Sequence, residues 1–223
     1  VFTTTKSTKT HELLPVLYVR SIRQCLHDFL YDRIMSDTKP LTQFVESFAR
    51  MEDMFAPEGV PDELLVKAES ETWESWQEFP RWQPLPVETD PADLDPLYQR
   101  IGGTFPPLYE QLLLSFRWLE VDLKLLRLFA NPPGDNFAGL SEAIFADRAL
   151  AEVLIPAGYV PFGRSSVNYD PICFDLNARL RTGDCPVIQF KHEAILCELR
   201  IGEQWQRWAS FRDLMSEVVL LDS

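Results

Sequence analysis

The feature that most constrains the fold is a set of short apolar runs in the last third of the chain. Each run is four or five residues long and lies next to Gly, Pro, Asn or Asp: Tyr159–Phe162, Ile172–Leu176 and Val187–Phe190. Runs of this length between turn-forming residues are typical of buried β-strands, because globular helices generally need about ten residues or more. The pattern therefore predicts a β-sheet in this part of the chain.

Two further segments follow these runs. Within Ile195–Ile201 the odd-numbered positions are apolar or cysteine and alternate with other residues, which predicts a fourth strand with one wetter face. A helix through His192–Leu199 is the open alternative. Ser210 then predicts the N-terminal cap of a closing helix. That helix would carry its apolar residues on one side: Phe211, Leu214, Met215 and Val218.

Earlier parts of the chain have mainly helical rather than strand periodicity. Apolar residues recur at three- and four-residue steps in three regions, 18–55, 107–116 and 140–150, whereas residues 118–123 alternate weakly and 125–129 form a short apolar run. Prolines crowd residues 84–96, which predicts a linker. We therefore expect a helical N-terminal extension over residues 1–90 and an α+β domain over residues 91–223. Its sheet should be mixed or antiparallel and flanked by helices.

The charge balance narrows the class of partner. The chain has 34 acidic and 21 basic residues, a formal net charge of −13, and residues 41–100 alone contain 14 acidic and 4 basic side chains. Such a chain repels phosphate backbones and anionic lipids, so we expect no direct contact with nucleic acid or membrane. A basic protein is the favoured partner. The other interpretation of the acidic stretch is a solvated helical face.

Cysteine usage and the lack of a targeting signal favour a cytoplasmic protein. The apolar stretch Leu13–Val19 is too short for a membrane span and has no cleavage site after it. The four cysteines form no CxxC pair, and only three histidines accompany them, so we expect reduced structural thiols rather than a zinc site. These cysteines are Cys25, Cys173, Cys185 and Cys197.

Five motifs occur in an order that resembles one known superfamily. They are Pro107-Leu108-Tyr109 with Leu112-Leu113, Gly-Tyr-Val-Pro-Phe-Gly at 158–163, Asp-Pro-Ile-Cys-Phe-Asp at 170–175, Pro-Val-Ile-Gln-Phe at 186–190 with His192-Glu193, and Ser210-Phe211 with Leu214. Together they resemble the SUKH superfamily, the bacterial immunity proteins related to the yeast regulator of cell-wall assembly. The resemblance covers roughly residues 95–221. It departs from the family at residues 115–118, where Ser-Phe-Arg-Trp replaces the usual Asn-Gly or Gly-rich turn.

The resemblance implies a compact α+β domain that serves as a binding scaffold. In bacteria such domains bind a toxin made by the same or a neighbouring cell and block it. Eukaryotic relatives act as adaptors in signalling or cell-wall regulation. No catalytic residue set is established for the superfamily, so the resemblance implies none here.

The candidate contact residues are acidic or aromatic. Trp118 is one aromatic candidate, and Tyr169 is another. Tyr169 and Asp170 belong to a Tyr-Asp-Pro turn between two predicted strands, which would present a ring and a carboxylate to solvent. The alternative is an ordinary turn in which Asp170 bonds its own backbone. The acidic candidates lie in the acidic stretch: Glu69, Glu71, Glu74 and Glu78.

The sequence contains no complete constellation for catalysis, a cofactor or a metal. His192 and Glu193, with Asp170, have the residue types of an acid–base group, but neighbours on a strand point to opposite faces. Ser165-Ser166 lacks the GxSxG pattern of a nucleophile elbow. We therefore expect no catalytic, cofactor-binding or metal-binding residues.

The sequence thus predicts a non-catalytic protein-binding module. The leading hypothesis is an immunity protein that neutralises a cognate bacterial toxin, a basic one, by occlusion. One alternative is a regulatory adaptor or scaffold with endogenous partners. Another is a small-ligand binder or an enzyme of unknown class, which would need a deep pocket with convergent polar groups.

Overall fold

The computed structural model describes residues 39–48, 61–66, 81–134 and 136–221. The chain divides into two compact units, Val1–Lys39 and Pro40–Ser223, and nearly all described residues belong to the second. Two short 3-10 helices lie at Pro91–Leu94 and Leu176–Ala178. The other elements, in chain order, are α1 (helical residues 39–48), β1 (Leu85–Pro86), α2 (Asp95–Ile101), α3 (Pro107–Ser115), β2 (Phe116–Arg117), β3 (Val121–Asp122), β4 (Arg127–Leu128), α4 (Ala138–Phe145), α5 (Arg148–Leu154), β5 (Tyr159–Arg164), β6 (Pro171–Asp175), β7 (Val187–Phe190), α6 (His192–Glu198), β8 (Gln204–Trp208) and α7 (Phe211–Leu221).

The main sheet is a six-stranded antiparallel meander. Its strand order is β3-β4-β5-β6-β7-β8, so each strand pairs with the next one along the chain. A separate two-stranded antiparallel sheet joins β1 to β2. The fold is therefore α+β, as the sequence predicts, and the three apolar runs form the central strands β5, β6 and β7.

Both faces of the central strands are covered. Successive side chains of a strand point to opposite faces. Accordingly Phe174 belongs to a large apolar cluster with residues of α3 and α7, whereas its neighbour Cys173 belongs to a smaller cluster with residues of α5 and α6. This burial on both sides explains why these strands contain continuous apolar runs rather than an alternation.

Aromatic rings form the centre of the large cluster. The rings of Phe162 on β5 and Phe174 on β6 stack with centroids 4.0 Å apart and an interplanar angle of 11°. Tyr109 of α3 and Phe211 of α7 contact them, with centroids 5.0 Å and 5.7 Å from that of Phe174. The hydroxyl of Tyr109 is buried without a hydrogen-bond partner among the described residues, and burial raises the pKa of this phenol well above its ordinary value.

The proline-rich stretch is part of the folded unit rather than a free tether. Leu85–Pro86 pairs with Phe116–Arg117, and Leu94 is fully buried. Phe48 and Trp82 belong to the same apolar cluster as Phe174. One core therefore extends across the division that the sequence predicts near residue 90.

The strand predicted over Ile195–Ile201 is wrong. His192–Glu198 is helix α6, the open alternative, and Leu199 ends it in a left-handed conformation with φ of 51°. The sheet continues instead with β8, Gln204–Trp208, whose side chains are mostly polar and exposed. In the described ranges, no helix is both long and apolar enough to cross a membrane.

Candidate partner-binding site

Among the candidate residues that the structure describes, Tyr169 is exposed, and it lies in the turn between β5 and β6. The ends of this turn are joined by a hydrogen bond from the Ser165 amide to the Asp170 carbonyl, 2.8 Å, and by one from the Tyr169 amide to the Ser165 carbonyl, 3.1 Å. The Val167 amide donates to Ser165 Oγ at 3.3 Å. The turn therefore has a defined backbone conformation rather than an open loop.

Two large side chains project from this turn into solvent. Val167 is 89% exposed and Tyr169 is 55% exposed. Tyr169 has φ of 61°, a left-handed conformation that costs a residue other than glycine about 1 kcal/mol or more. The Arg127 guanidinium lies 5.5 Å from the centre of the Tyr169 ring, within the range of a cation–π contact. The ring is thus exposed but has a fixed backbone and a stacking partner.

Asp170 is buried beneath the turn and stabilises it through side-chain hydrogen bonds. It is 1% exposed, and each of its carboxylate oxygens accepts two hydrogen bonds. Oδ1 accepts from the amide of His192 at 3.1 Å and faces Nδ1 of the same residue at 2.7 Å. Oδ2 accepts from Asn168 Nδ2 at 2.7 Å and from Gln189 Nε2 at 3.0 Å.

These donors also set the charge of Asp170. Burial alone disfavours a charged carboxylate, but the hydrogen bonds from His192 and Gln189 outweigh that effect, and the pKa of Asp170 lies below its ordinary value. The group is therefore an anion at neutral pH. Because the amide of His192 opens α6, the carboxylate also stabilises the N-terminus of that helix.

Side-chain hydrogen bonds connect the turn to strands on both sides of it. Gln189 of β7, which binds Asp170, accepts a hydrogen bond from Nη1 of Arg207 on β8. On the other side of the turn, Ser166 Oγ donates to Asp122 Oδ1 of β3 at 2.6 Å. The turn is therefore attached to the sheet on both sides.

Three potential metal-ligand atoms lie within 4.8 Å of one another, one each from Asp170, His192 and Glu193. His192 and Glu193 would diverge only if this segment were a strand, and the segment is helix α6. Both oxygens of Asp170 are already occupied by N–H donors, so a cation at this point would have to displace several hydrogen bonds. The arrangement is better suited to positioning the turn than to holding a metal.

The residues expected to contact a partner differ in their exposure to solvent. Tyr169 is exposed as predicted, whereas the expectation that Asp170 presents its carboxylate to solvent is wrong. Trp118 is fully buried, with Nε1 donating to the Phe129 carbonyl at 2.9 Å, so it is a core residue and not a surface contact. Four candidates lie outside the described residues: Glu69, Glu71, Glu74 and Glu78.

Sequence reasoning missed Val167 and Gln189. An apolar residue inside a polar turn is the signal that singles out Val167, whereas Gln189 lies in an apolar run and shows no sign of its bond to Asp170. No protein-family model matches this chain, and no curated protein has a significantly similar sequence.

Proposed function

We propose that this protein is a non-catalytic protein-binding module of the immunity type, which acts in the cytoplasm by covering the active surface of a basic toxin. The observation that carries the proposal is the hydrogen-bonded β5–β6 turn, which exposes Val167 and Tyr169 above a buried carboxylate. The resemblance of residues 95–221 to the SUKH superfamily supports the immunity role in particular.

A fixed, exposed aromatic is suited to protein recognition. Binding energy in interfaces is concentrated in a few residues, and tyrosine is enriched among them. A contact that is already ordered before binding loses less conformational entropy when the complex forms. The hydrogen bonds around Asp170 provide that order for Tyr169 without exposing the carboxylate itself.

Acidic groups near the turn match a basic partner. Glu193 is exposed, and its carboxylate lies within the same 4.8 Å group as Asp170 and His192. Glu120 is also exposed and lies 3.7 Å from Arg127, the residue that stacks on Tyr169. An apolar centre with acidic groups at its rim favours fast, salt-sensitive association with a basic surface.

The experiment is co-expression of the full chain with the protein encoded by the adjacent gene, followed by titration of the two purified proteins. We expect rescue of growth and a complex whose association slows as salt is raised. The double variant Val167→Ser, Tyr169→Ala should bind at least about tenfold more weakly. The control is Leu180→Ser, which changes another exposed apolar residue outside the turn and should bind normally.

Three results would count against this proposal. They are the absence of any complex with the neighbouring protein, binding that does not respond to ionic strength, and equal effects of the turn variant and the Leu180 variant. A complex with a regulatory protein that has no toxic activity would support the adaptor alternative instead.

A further inference from the structure

An open cleft lies at the other end of β5 from the Val167–Tyr169 turn. It has a volume of about 770 Å³ and is formed where three chain segments meet: the end of α2 with the following loop, the end of α5, and the segment after β6. This volume is in the range of sites for small organic molecules. The apolar part of its lining comes from Ile101, Ile155, Pro156 and Leu176.

The charged groups that line this cleft are both arginines, Arg100 and Arg179. No carboxylate lines it, although the chain as a whole has a net charge of −13. Among the described residues, neither guanidinium has a carboxylate within 4.0 Å. Glu142 lines a shallow neighbouring groove on another side of Arg100 and makes no ion pair with it in the described part of the chain. The cleft is therefore a positive site on an acidic protein.

Both guanidinium groups are held in place by neutral partners. Arg100 lines both the cleft and the neighbouring groove; it donates to Ser141 Oγ, and its guanidinium carbon lies 3.8 Å from the ring centre of Phe145, two residues on the groove side. Arg179 donates to the Thr104 carbonyl, to Thr104 Oγ1 at 3.1 Å and to the Gly183 carbonyl at 3.0 Å. These contacts orient each cation without neutralising it, and a guanidinium has five N–H donors, so further donors remain on each.

Glycine allows the backbone to form one wall of the cleft. Gly158 has φ of 84°, and a Cβ atom there would lie 2.4 Å from Nδ2, the side-chain nitrogen of Asn177. The Asn177 side chain instead lies close to the backbone and donates to the Ala157 carbonyl at 2.9 Å. The close approach brings the segment after β6, which carries Arg179, to the segment that precedes β5.

We propose that this cleft binds a small organic molecule through oxyanion groups, phosphate or carboxylate, that contact Arg179 and Arg100. Guanidinium groups bind such oxyanions through parallel charge-assisted hydrogen bonds, and pre-oriented groups do so with less entropy loss. The apolar lining takes the uncharged part of the ligand. This site is separate from the turn assigned to partner binding, so its test does not depend on the proposed function.

Calorimetric titration of the full chain tests the proposal, with three probes at matched ionic strength: inorganic phosphate, adenosine 5′-monophosphate and citrate. We expect saturable binding at one site. Arg100→Gln and Arg179→Gln should each weaken it at least about tenfold, which corresponds to about 1.4 kcal/mol. Arg181→Gln removes an exposed arginine that does not line the cleft and should leave binding unchanged.

The probes and variants give distinct outcomes. Binding of a phosphate probe identifies a phosphorylated ligand, and binding of citrate alone identifies a carboxylate ligand. No saturable binding of any probe, or equal weakening by all three arginine variants, overturns the proposal. A thermal melt of each variant accompanies the titration, because arginines that only compensate the carbonyl ends of α2 and α5 would change stability without any oxyanion binding.

Discussion

Oδ1 of Asp170 lies 2.7 Å from Nδ1 of His192, across 22 residues of sequence. The contact joins the end of the β5–β6 turn to the first residue of α6. Asp170 is therefore buried and supports its neighbour Tyr169, although the sequence predicts a carboxylate exposed for recognition. The exposed ring and the buried carboxylate therefore have different roles although they are adjacent in the chain.

Asp170→Asn should destabilise the protein at neutral pH by about 3 kcal/mol, because the amide cannot accept all four hydrogen bonds as an anion does. Since the pKa of Asp170 is lower in the folded state, its contribution is fully present above the ordinary value of 3.8 and is lost as pH falls below it. Urea denaturation of both proteins at neutral and acid pH measures this difference. A gap between the two that is as large at acid pH as at neutral pH contradicts the assignment.

Tyr169→Gly should be more stable than Tyr169→Ala by about 1 kcal/mol. Both variants lose the ring, but only glycine adopts φ of 61° without strain. Both should lose partner binding to the same extent if the ring is the contact. Chemical denaturation measures the stability difference. Equal stability of the two variants would show that alanine has no backbone strain at this position.

Trp118→Phe should destabilise the protein by about 2–3 kcal/mol without weakening partner binding. The substitution leaves a cavity beside Phe48, whose ring centroid lies 6.3 Å away, and removes the donor to the Phe129 carbonyl. Denaturation and partner titration should be measured on the same preparation. If the variant kept its stability but lost binding, Trp118 would be a partner contact and not a core residue.

Gly163→Ala should cost about 2–4 kcal/mol, because a Cβ atom on β5 would lie 2.7 Å from the Arg127 carbonyl oxygen of β4. That oxygen belongs to the backbone of a paired strand and cannot move alone. The control is Gly103→Ala, whose new Cβ would meet the terminal carbon of Leu176, a flexible side chain. We expect a smaller loss there, and equal losses would contradict this account of the strand spacing.

Part of the site could be predicted from the sequence. Tyr169 belongs to a short polar segment between two apolar runs, and such a segment forms a surface turn, so exposure of its ring follows from local pattern. Burial of Trp118 does not follow, because an aromatic type alone does not tell whether its surroundings are core or solvent. Helix α6 is ambiguous in the sequence, since the apolar residues at 195 and 199 are four apart, a spacing that satisfies both the strand and the helix period.

Local sequence determined the central strands and the closing helix, because their signals lie within a few residues: apolar runs beside turn residues, and Ser210, whose hydroxyl accepts from the Asp213 amide at 3.1 Å. Tertiary structure alone decided the bond between Asp170 and His192 and the lining of one cleft by both Arg100 and Arg179. Each of these pairs comes from separate elements, and only the packing of sheet and helices brings them together. No periodicity or motif within one segment encodes a contact of that kind.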